Sequence, residues 1–329
     1  MAQSNPTAAT TTTQERSQAG NWLQALRGLR QERGGEGLAG YLFIGPAMLL
    51  FLVFNAYPLI RGVGMAFSDY RYLIPGYAPF NGIDNWREMF QDATFWAALQ
   101  RSLLYMLVYV GFSFIMALLV AVLITEVKSQ REAAIYRALV YLPVVLPIAV
   151  AVLIWKQLLS PEFGYLNYFL REVLWFDSVP DLIQDARFTV PVLALISVWK
   201  ACGTSILLML VGLYSINSEV YEAASLDGAG WWRRLLTISI PLLRPTFAVI
   251  FVLGAGVLGM VEESLVFFGM LDAGPSAAGR VVGRYAYETA FLLGDMRWGY
   301  AAAMNLTVGV ISIAISLVIF RVLRSERLS

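Results

Sequence analysis

The sequence predicts an all-α integral membrane protein with six membrane-spanning helices and a polar loop between the fourth and fifth spans. Of the 329 residues, 58% are hydrophobic and 14% are charged. Soluble domains have about 45–50% apolar residues and about 25% charged residues. Six apolar stretches are long enough to cross a bilayer, which takes about 20 helical residues. Because lipid offers no partner to unpaired backbone groups, such stretches must be helical.

Each span is placed on one uninterrupted apolar stretch. Prolines in or beside the spans are compatible with helices because neighbouring helices can satisfy the freed carbonyls. Residues 1–37 are polar and predict a largely disordered tail, in which 22–31 has the spacing of a short helix lying on the membrane surface. Residues 324–329 are a short C-terminal end. The spans are predicted at 38–60, 102–124, 138–159, 189–213, 246–271 and 299–322, within a membrane domain of residues 38–323.

The distribution of basic residues predicts that both termini are cytoplasmic. Lys and Arg are more frequent in the segments on the side of the N-terminus, and loops on the other side carry most of the acidic residues. Positive charge marks the cytoplasmic side of membrane proteins. The polar loop after the fourth span is therefore expected to face the cytoplasm.

The composition also excludes several functions. A formal net charge of +1 gives no field that would attract nucleic acid. The sequence contains no histidine and one cysteine, Cys202, so imidazole chemistry, an internal disulfide and a multi-cysteine metal site are excluded. Membrane lipid is the expected surrounding, and no metal is expected.

The loop at 219–243 is the most informative segment, and we call it the coupling loop. Its first part favours a helix, the Asp227-Gly228 pair favours a turn, and Trp231 begins a second short helix. Exposed Trp and Leu side chains at helical spacing predict a partner that covers them. A helix–turn–helix that docks into a protein groove explains this pattern; the alternative is an amphipathic connector resting on the bilayer. The residues that carry the pattern are Glu222, Ala223, Ala224, Asp227, Gly228, Ala229, Ile238 and Pro241.

These residues resemble the EAA loop of binding-protein-dependent ABC importer permeases. Glu-Ala-Ala, then Asp-Gly-Ala, then Ile-x-Ile-Pro have the family's spacing, with Leu235 where the family usually has Phe and Ile240 where it has Leu. The stretches at 41–58, 81–98 and 136–155 are similar to the sugar and glycerol-phosphate (maltose-type) subgroup. The resemblance is to the partner with a short C-terminus in the permease pair, and it implies the fold of a type I importer permease.

The resemblance implies a set of partners. In this family the coupling loop sits in a cleft of a cytoplasmic ATP-binding subunit, present in two copies, and a second permease and an extracellular solute-binding protein complete the importer. This chain has no G-x-x-x-x-G-K-[ST] phosphate loop, so it is not expected to be an enzyme or to bind a cofactor. ATP and Mg would be used by the partner ATPase. The implied location is the plasma (inner) membrane of a prokaryote.

The resemblance also implies a substrate pathway for a carbohydrate or sugar-like solute. Carboxylates accept hydrogen bonds from hydroxyl groups well, and sugars carry many hydroxyl groups. The alternative role of the charged residues is a structural ion pair between Lys200 and Glu262 or Glu263. Lys156, near the end of the third span, is expected to extend towards the interface. The pathway positions are Ser197, Lys200 and Ala201 on the fourth span, and Met260, Glu262 and Glu263 on the fifth.

Two other functions remain open at the level of sequence. An ion-driven secondary transporter usually shows inverted repeats with broken helices, and no convincing repeat is present. An ABC permease for a solute other than a sugar fits the coupling loop equally well. Gly254 to Gly259 spell G-x-G-x-x-G, but the dinucleotide fingerprint requires a preceding strand, so small residues at a helix contact explain it better.

Overall fold

A computed structural model of the protein describes residues 41–74, 76–175, 181–182, 184–259, 262–269 and 272–325. The predicted tail at 1–37, with its surface helix at 22–31, lies outside these residues. The described part of the chain is helical, and its only extended pairing consists of isolated β-bridges. The chain divides into two units, Met1–Gly62 and Val63–Ser329.

The helices follow the order of the apolar stretches, with shorter helices in the connections. Among the described residues they are α1 (Tyr41–Ala66), α2 (Asp84–Gln91), α3 (Ala93–Thr125), α4 (Gln130–Val145), α5 (Ile148–Leu158), α6 (Tyr165–Tyr168), α7 (Ala186–Tyr214), α8 (Ser218–Leu226), α9 (Trp231–Leu242), α10 (Arg244–Ala255), α11 (Glu262–Phe268), α12 (Val282–Phe291) and α13 (Trp298–Ser325).

Four of these helices, α1, α3, α7 and α13, are long and apolar enough to cross a membrane singly. Two further pairs have the required length only when both members are joined, and each pair is sharply bent. The bend is 97° between α4 and α5 and 63° between α9 and α10. The described residues therefore hold four single spans, or up to six spans if each bent pair crosses once.

The third predicted span, 138–159, is not one continuous helix. Leu146 and Pro147 are extended, with ψ of 136° and 142°, and they separate α4 from α5. Proline lacks the backbone N–H that would continue the helix, and its ring disfavours helical geometry in the preceding residue. The sequence predicts only that prolines are tolerated in this span, whereas α4 and α5 are bent by 97° relative to each other.

The fifth predicted span, 246–271, is also divided. α10 ends at Ala255, a 3₁₀ turn covers Gly256–Gly259, and α11 is a separate helix. A Cβ atom at Gly254 would lie 2.6 Å from the Val110 side chain. Gly254 therefore allows α10 to approach α3 closely.

The core of the second unit is the long contact between α3 and α7. Hydroxyl groups connect the two helices: Tyr105 Oη lies 2.6 Å from Ser197 Oγ, and Ser113 Oγ donates to Ser205 Oγ at 3.2 Å. On another side α7 packs on α4, where a Cβ at Gly203 would lie 2.7 Å from a backbone oxygen. Small residues and interhelical hydrogen bonds hold helices together where lipid removes the hydrophobic driving force.

The N-terminal end of α3 is fixed by Asp92. Its side chain caps the helix by accepting from Thr94 N at 2.8 Å, and it also accepts from Tyr285 Oη at 2.6 Å and Tyr300 Oη at 2.9 Å. Burial raises the pKa of Asp92, but these hydrogen bonds outweigh it and the pKa lies below its usual value. Asp92 thus joins α3 to α12 and α13.

Candidate functional site

The coupling loop begins with α8, whose start is fixed by a cap. The Asn217 side chain accepts a hydrogen bond from Glu219 N at 3.1 Å and so satisfies one of the free N–H groups at the helix start. Glu219 adds negative charge in the first turn, which the helix dipole favours. Glu222, Ala223 and Ala224 then follow on the same helix.

The Asp-Gly-Ala sequence forms the C-terminal cap of α8. Gly228 has φ of +75°, a region that L side chains rarely adopt. Its N–H donates to Ser225 O at 3.1 Å, and Ala229 N donates to Ala224 O at 2.9 Å. This pair of bonds is the Schellman motif, which turns the chain and satisfies the last helix carbonyls. The turn therefore depends on glycine at position 228.

The second helix of the loop, α9, attaches it to the spans. Trp231 Nε1 donates to Glu126 Oε1 at 2.7 Å, and Glu126 is the residue that ends α3. Trp231, Leu235 and Ile240 pack against the apolar cluster formed by α3, α7 and α10. The loop is therefore attached to the ends of two long helices, α3 and α7.

Two hydrogen bonds connect α8 to α9. Tyr221 Oη lies 2.8 Å from Ser239 Oγ, and Arg234 Nη1 donates to Ser225 Oγ at 3.1 Å. Between the loop and the ends of α3 and α7 lies a cavity of about 370 Å³. The two helices of the coupling loop are thus fixed to one another as well as to the spans.

The other face of the loop presents large apolar side chains to the surroundings. Leu226 is 91% exposed at the end of α8, and Trp232 is 68% exposed. The residues of the predicted docking motif divide between two places. Ile238 and Pro241 are half-buried in α9, whereas the others lie on α8 and its turn: Glu222, Ala223, Asp227 and Gly228 exposed, Ala224 and Ala229 half-buried.

The predicted pathway residues on the fourth span lie in α7. Ser197 is buried against Tyr105, and Lys200 and Ala201 are half-buried one turn further along. α11, which carries Glu262 and Glu263, packs against α7 and α5. Met260 lies outside the described residues, as do the side chains of Glu262 and Glu263, so an ion pair with Lys200 remains a prediction.

A buried charged cluster beside α11 is not among the sequence predictions. Among the described residues, the charged side chains that are buried belong to Arg284 and Glu288 on α12. Arg284 Nε donates to Glu288 Oε1 at 2.8 Å, and Arg280 Nε donates to Glu288 Oε2 at 2.7 Å. The i,i+4 spacing of Arg284 and Glu288 is the signal that could have indicated this pair.

Lys156 has a partner that the sequence did not predict. Its Nζ donates to Phe267 O, in the last turn of α11, at 3.2 Å, and its extension to the interface stays a prediction. A cation next to the carbonyl end of a helix is favoured by the helix dipole. Nowhere in the described ranges do three His, Cys, Asp or Glu side chains converge as metal ligands would.

Comparisons with known proteins place these features in a family. No protein-family model matches the chain. It is 32% identical over 311 residues to the probable ABC transporter permease protein YesP of Bacillus subtilis, covering 92% of this chain and 95% of YesP. It is 28% identical over 294 residues to the diacetylchitobiose uptake system permease protein NgcF of Streptomyces coelicolor, covering 86% of this chain and 81% of NgcF.

A solved structure agrees with these relatives. The chain superposes on a chain of a bacterial alginate ABC transporter in complex with a periplasmic protein bound to an alginate pentasaccharide. The TM-score is 0.72 with 26% identity, and the match covers 88% of this chain and 94% of that chain. The all-helical arrangement is therefore that of ABC importer permeases.

Proposed function

The chain belongs to the family of ABC transporter permeases, and from this premise we propose that it passes a carbohydrate from an extracellular binding protein into the cytoplasm. It is a multi-pass integral membrane protein of an ATP-driven importer. The single observation that carries the importer role is the coupling loop, which is fixed to the spans on one face and exposes apolar side chains on the other.

The exposed face of the coupling loop is the proposed docking site for an ATP-binding subunit. Leu226, at 91% exposure, and Trp232 are large apolar groups beside the small Ala223, and such a surface is stabilised when a groove covers it. The loop would therefore face the cytoplasm, with both termini on the same side. One loop serves one ATPase subunit, so two copies require a second permease.

Energy for transport would come from ATP and Mg in those partner subunits, since the sequence has no phosphate loop. When the two ATPase subunits close, the docked loops move. Trp231 and Leu243 then transmit that movement, because Trp231 is bonded to the end of α3 and Leu243 is buried at the start of α10. The spans would respond by alternating between outward-open and inward-open states.

A carbohydrate is the proposed cargo because of the relatives and the residue types at the predicted pathway positions. NgcF belongs to a diacetylchitobiose uptake system, and the superposed transporter is for alginate. The predicted pathway residues, Ser197 and Lys200 on α7 and Glu262 and Glu263 on α11, are of types that form hydrogen bonds with hydroxyl groups. Family membership leaves no support for an ion-driven transporter.

Uptake by the reconstituted complex tests this function. The complete importer, purified through a tag on this chain and placed in proteoliposomes with its binding protein, is expected to import a radiolabelled sugar only with ATP inside. Leu226→Asp places a charge on the docking face and is expected to abolish ATP-dependent uptake. Leu73→Asp, at a 55% exposed leucine outside the loop, is the matched control and is expected to keep it. Uptake of no carbohydrate, but of another solute, would overturn the sugar assignment.

A further inference from the structure

We propose that Arg284 is a positioning residue for transport, and that with Lys156 it fixes the carbonyl end of α11, the helix that carries Glu262 and Glu263. The inference rests on the proposed function, because it concerns the substrate pathway of the same importer. It assigns a role to a buried charged group on α12 that belongs neither to the coupling loop nor to the predicted pathway positions.

The guanidinium of Arg284 is directed at the backbone of one segment. Nη1 donates to Ser264 O at 2.8 Å and to Ser264 Oγ at 3.2 Å, and Nη2 donates to Gly269 O at 2.9 Å and Asp272 O at 2.6 Å. Together with the bond from Nε to Glu288, all three nitrogens are used. Such a planar fork fixes the direction of its acceptors, which a lysine ammonium does not do.

The acceptors lie along α11 and just beyond it: Phe267 O, bound by Lys156, is in its last turn, and Gly269 O, bound by Arg284, follows directly after it. The last carbonyls of a helix have no intrahelical donor, and α11 ends at Phe268 before Gly269 turns away with φ of +83°. Lys156 Nζ approaches Phe267 O from α5, while Arg284 approaches Gly269 O from α12. The end of α11 is therefore held by two cations from two different elements.

The loop after α11 packs against Phe268, the last residue of that helix. A Cβ atom at Gly274 would lie 2.7 Å from the Phe268 ring, and one at Gly279 would lie 2.8 Å from it. Ser264 Oγ also donates to Gly279 O at 2.6 Å. Glycine at both positions allows this close approach, so the loop and α11 form one packed unit around Arg284.

Fixing the C-terminal end of α11 also determines the position of its N-terminal end. α11 has seven residues, which correspond to about 10 Å of helix, and so short a helix moves as one body. Glu262 and Glu263 occupy its first turn. A displacement at Arg284 is therefore expected to shift the backbone of the pathway positions and to change how well different carbohydrates fit.

The test measures selectivity rather than total activity. In proteoliposomes with the full complex, uptake of a short and a longer oligosaccharide is measured side by side for wild type, Arg284→Lys and Arg297→Lys. Arg297 is the matched control because it also forms an arginine–carboxylate pair, with Glu88, but binds none of the α11 segment. We expect Arg284→Lys to change the ratio of the two uptake rates by at least about fivefold, and Arg297→Lys by less than about twofold.

A merely structural role gives a different result. If Arg284→Lys lowers uptake of both sugars in proportion to the amount of folded complex, with the ratio unchanged, the proposal is overturned. If that variant fails to assemble, Lys156→Met removes the other cation, and the same ratio decides: a change supports positioning and an unchanged ratio overturns it. Failure of the proposed function is distinguishable, because the wild-type complex itself would then import neither sugar.

Discussion

Replacing Gly228 tests the geometry of the coupling loop. No atom lies within 4 Å of the Cβ position that an alanine would add there, so Gly228→Ala introduces no collision. Its only cost is the φ of +75°, which is about 1–2 kcal/mol for an L residue other than glycine. That free energy lowers the population of the turn by a factor of about 5–30, and this factor is the upper limit for the loss of affinity for the ATPase subunit.

The assay is binding of the purified ATPase subunit to the permease pair in nanodiscs, with ATP-driven uptake measured in parallel. Gly228→Asn is the rescue variant, because asparagine tolerates left-handed backbone better than alanine. Gly230→Ser is the matched control, because Gly230 is in open space and has φ of −64° at the helix start, where serine is favoured. Wild-type affinity and uptake for Gly228→Ala would refute the role of this turn.

Three further predictions follow from contacts elsewhere. Trp231→Phe keeps a ring but loses the bond to Glu126, which is exposed to solvent and is worth about 0.5–1.5 kcal/mol. ATP hydrolysis by the complex should continue while uptake per ATP falls, and equal losses of both would contradict this. Gly203→Val inserts a side chain where α4 packs and should abolish folded protein on size exclusion, whereas Gly309→Val, in open space, should not. Asp92 has a lowered pKa, so its stabilisation is complete above its unfolded pKa of about 3.9 and is lost as pH falls through the folded value. Thermal unfolding of Asp92→Asn should therefore be less pH-dependent below about pH 4 than wild type, and identical profiles would contradict the assignment.

The helices that cross the membrane were predictable because their signal is local. α3 and α7 correspond to the apolar stretches 102–124 and 189–213 and extend beyond them at both ends. The prolines in or beside the spans were also predictable as positions where a helix lacks a backbone hydrogen bond. The 97° angle between α4 and α5 was not predictable. A proline indicates only that one backbone hydrogen bond is missing, and the packing around it determines the direction of the chain.

The site was predictable where one backbone position requires one residue type. Gly228 is needed for the Schellman turn, and the Asp-Gly-Ala sequence predicts a turn at this position. Arg284 was missed because an arginine in a polar connection usually lies at the surface. Its burial depends on hydrogen bonds to the backbone carbonyls of Ser264, Gly269 and Asp272. Every residue has a backbone carbonyl, so the sequence does not indicate which ones will accept these bonds.

Site-specific photocrosslinking at the coupling loop tests the central claim most directly. A benzophenone amino acid replaces Leu226, at the most exposed point of the loop, or Leu73 as the control, in a complex that imports its sugar. The account predicts that position 226 captures the ATP-hydrolysing subunit and that position 73 does not. An actively transporting complex in which position 226 captures only lipid or no ATPase subunit would contradict it.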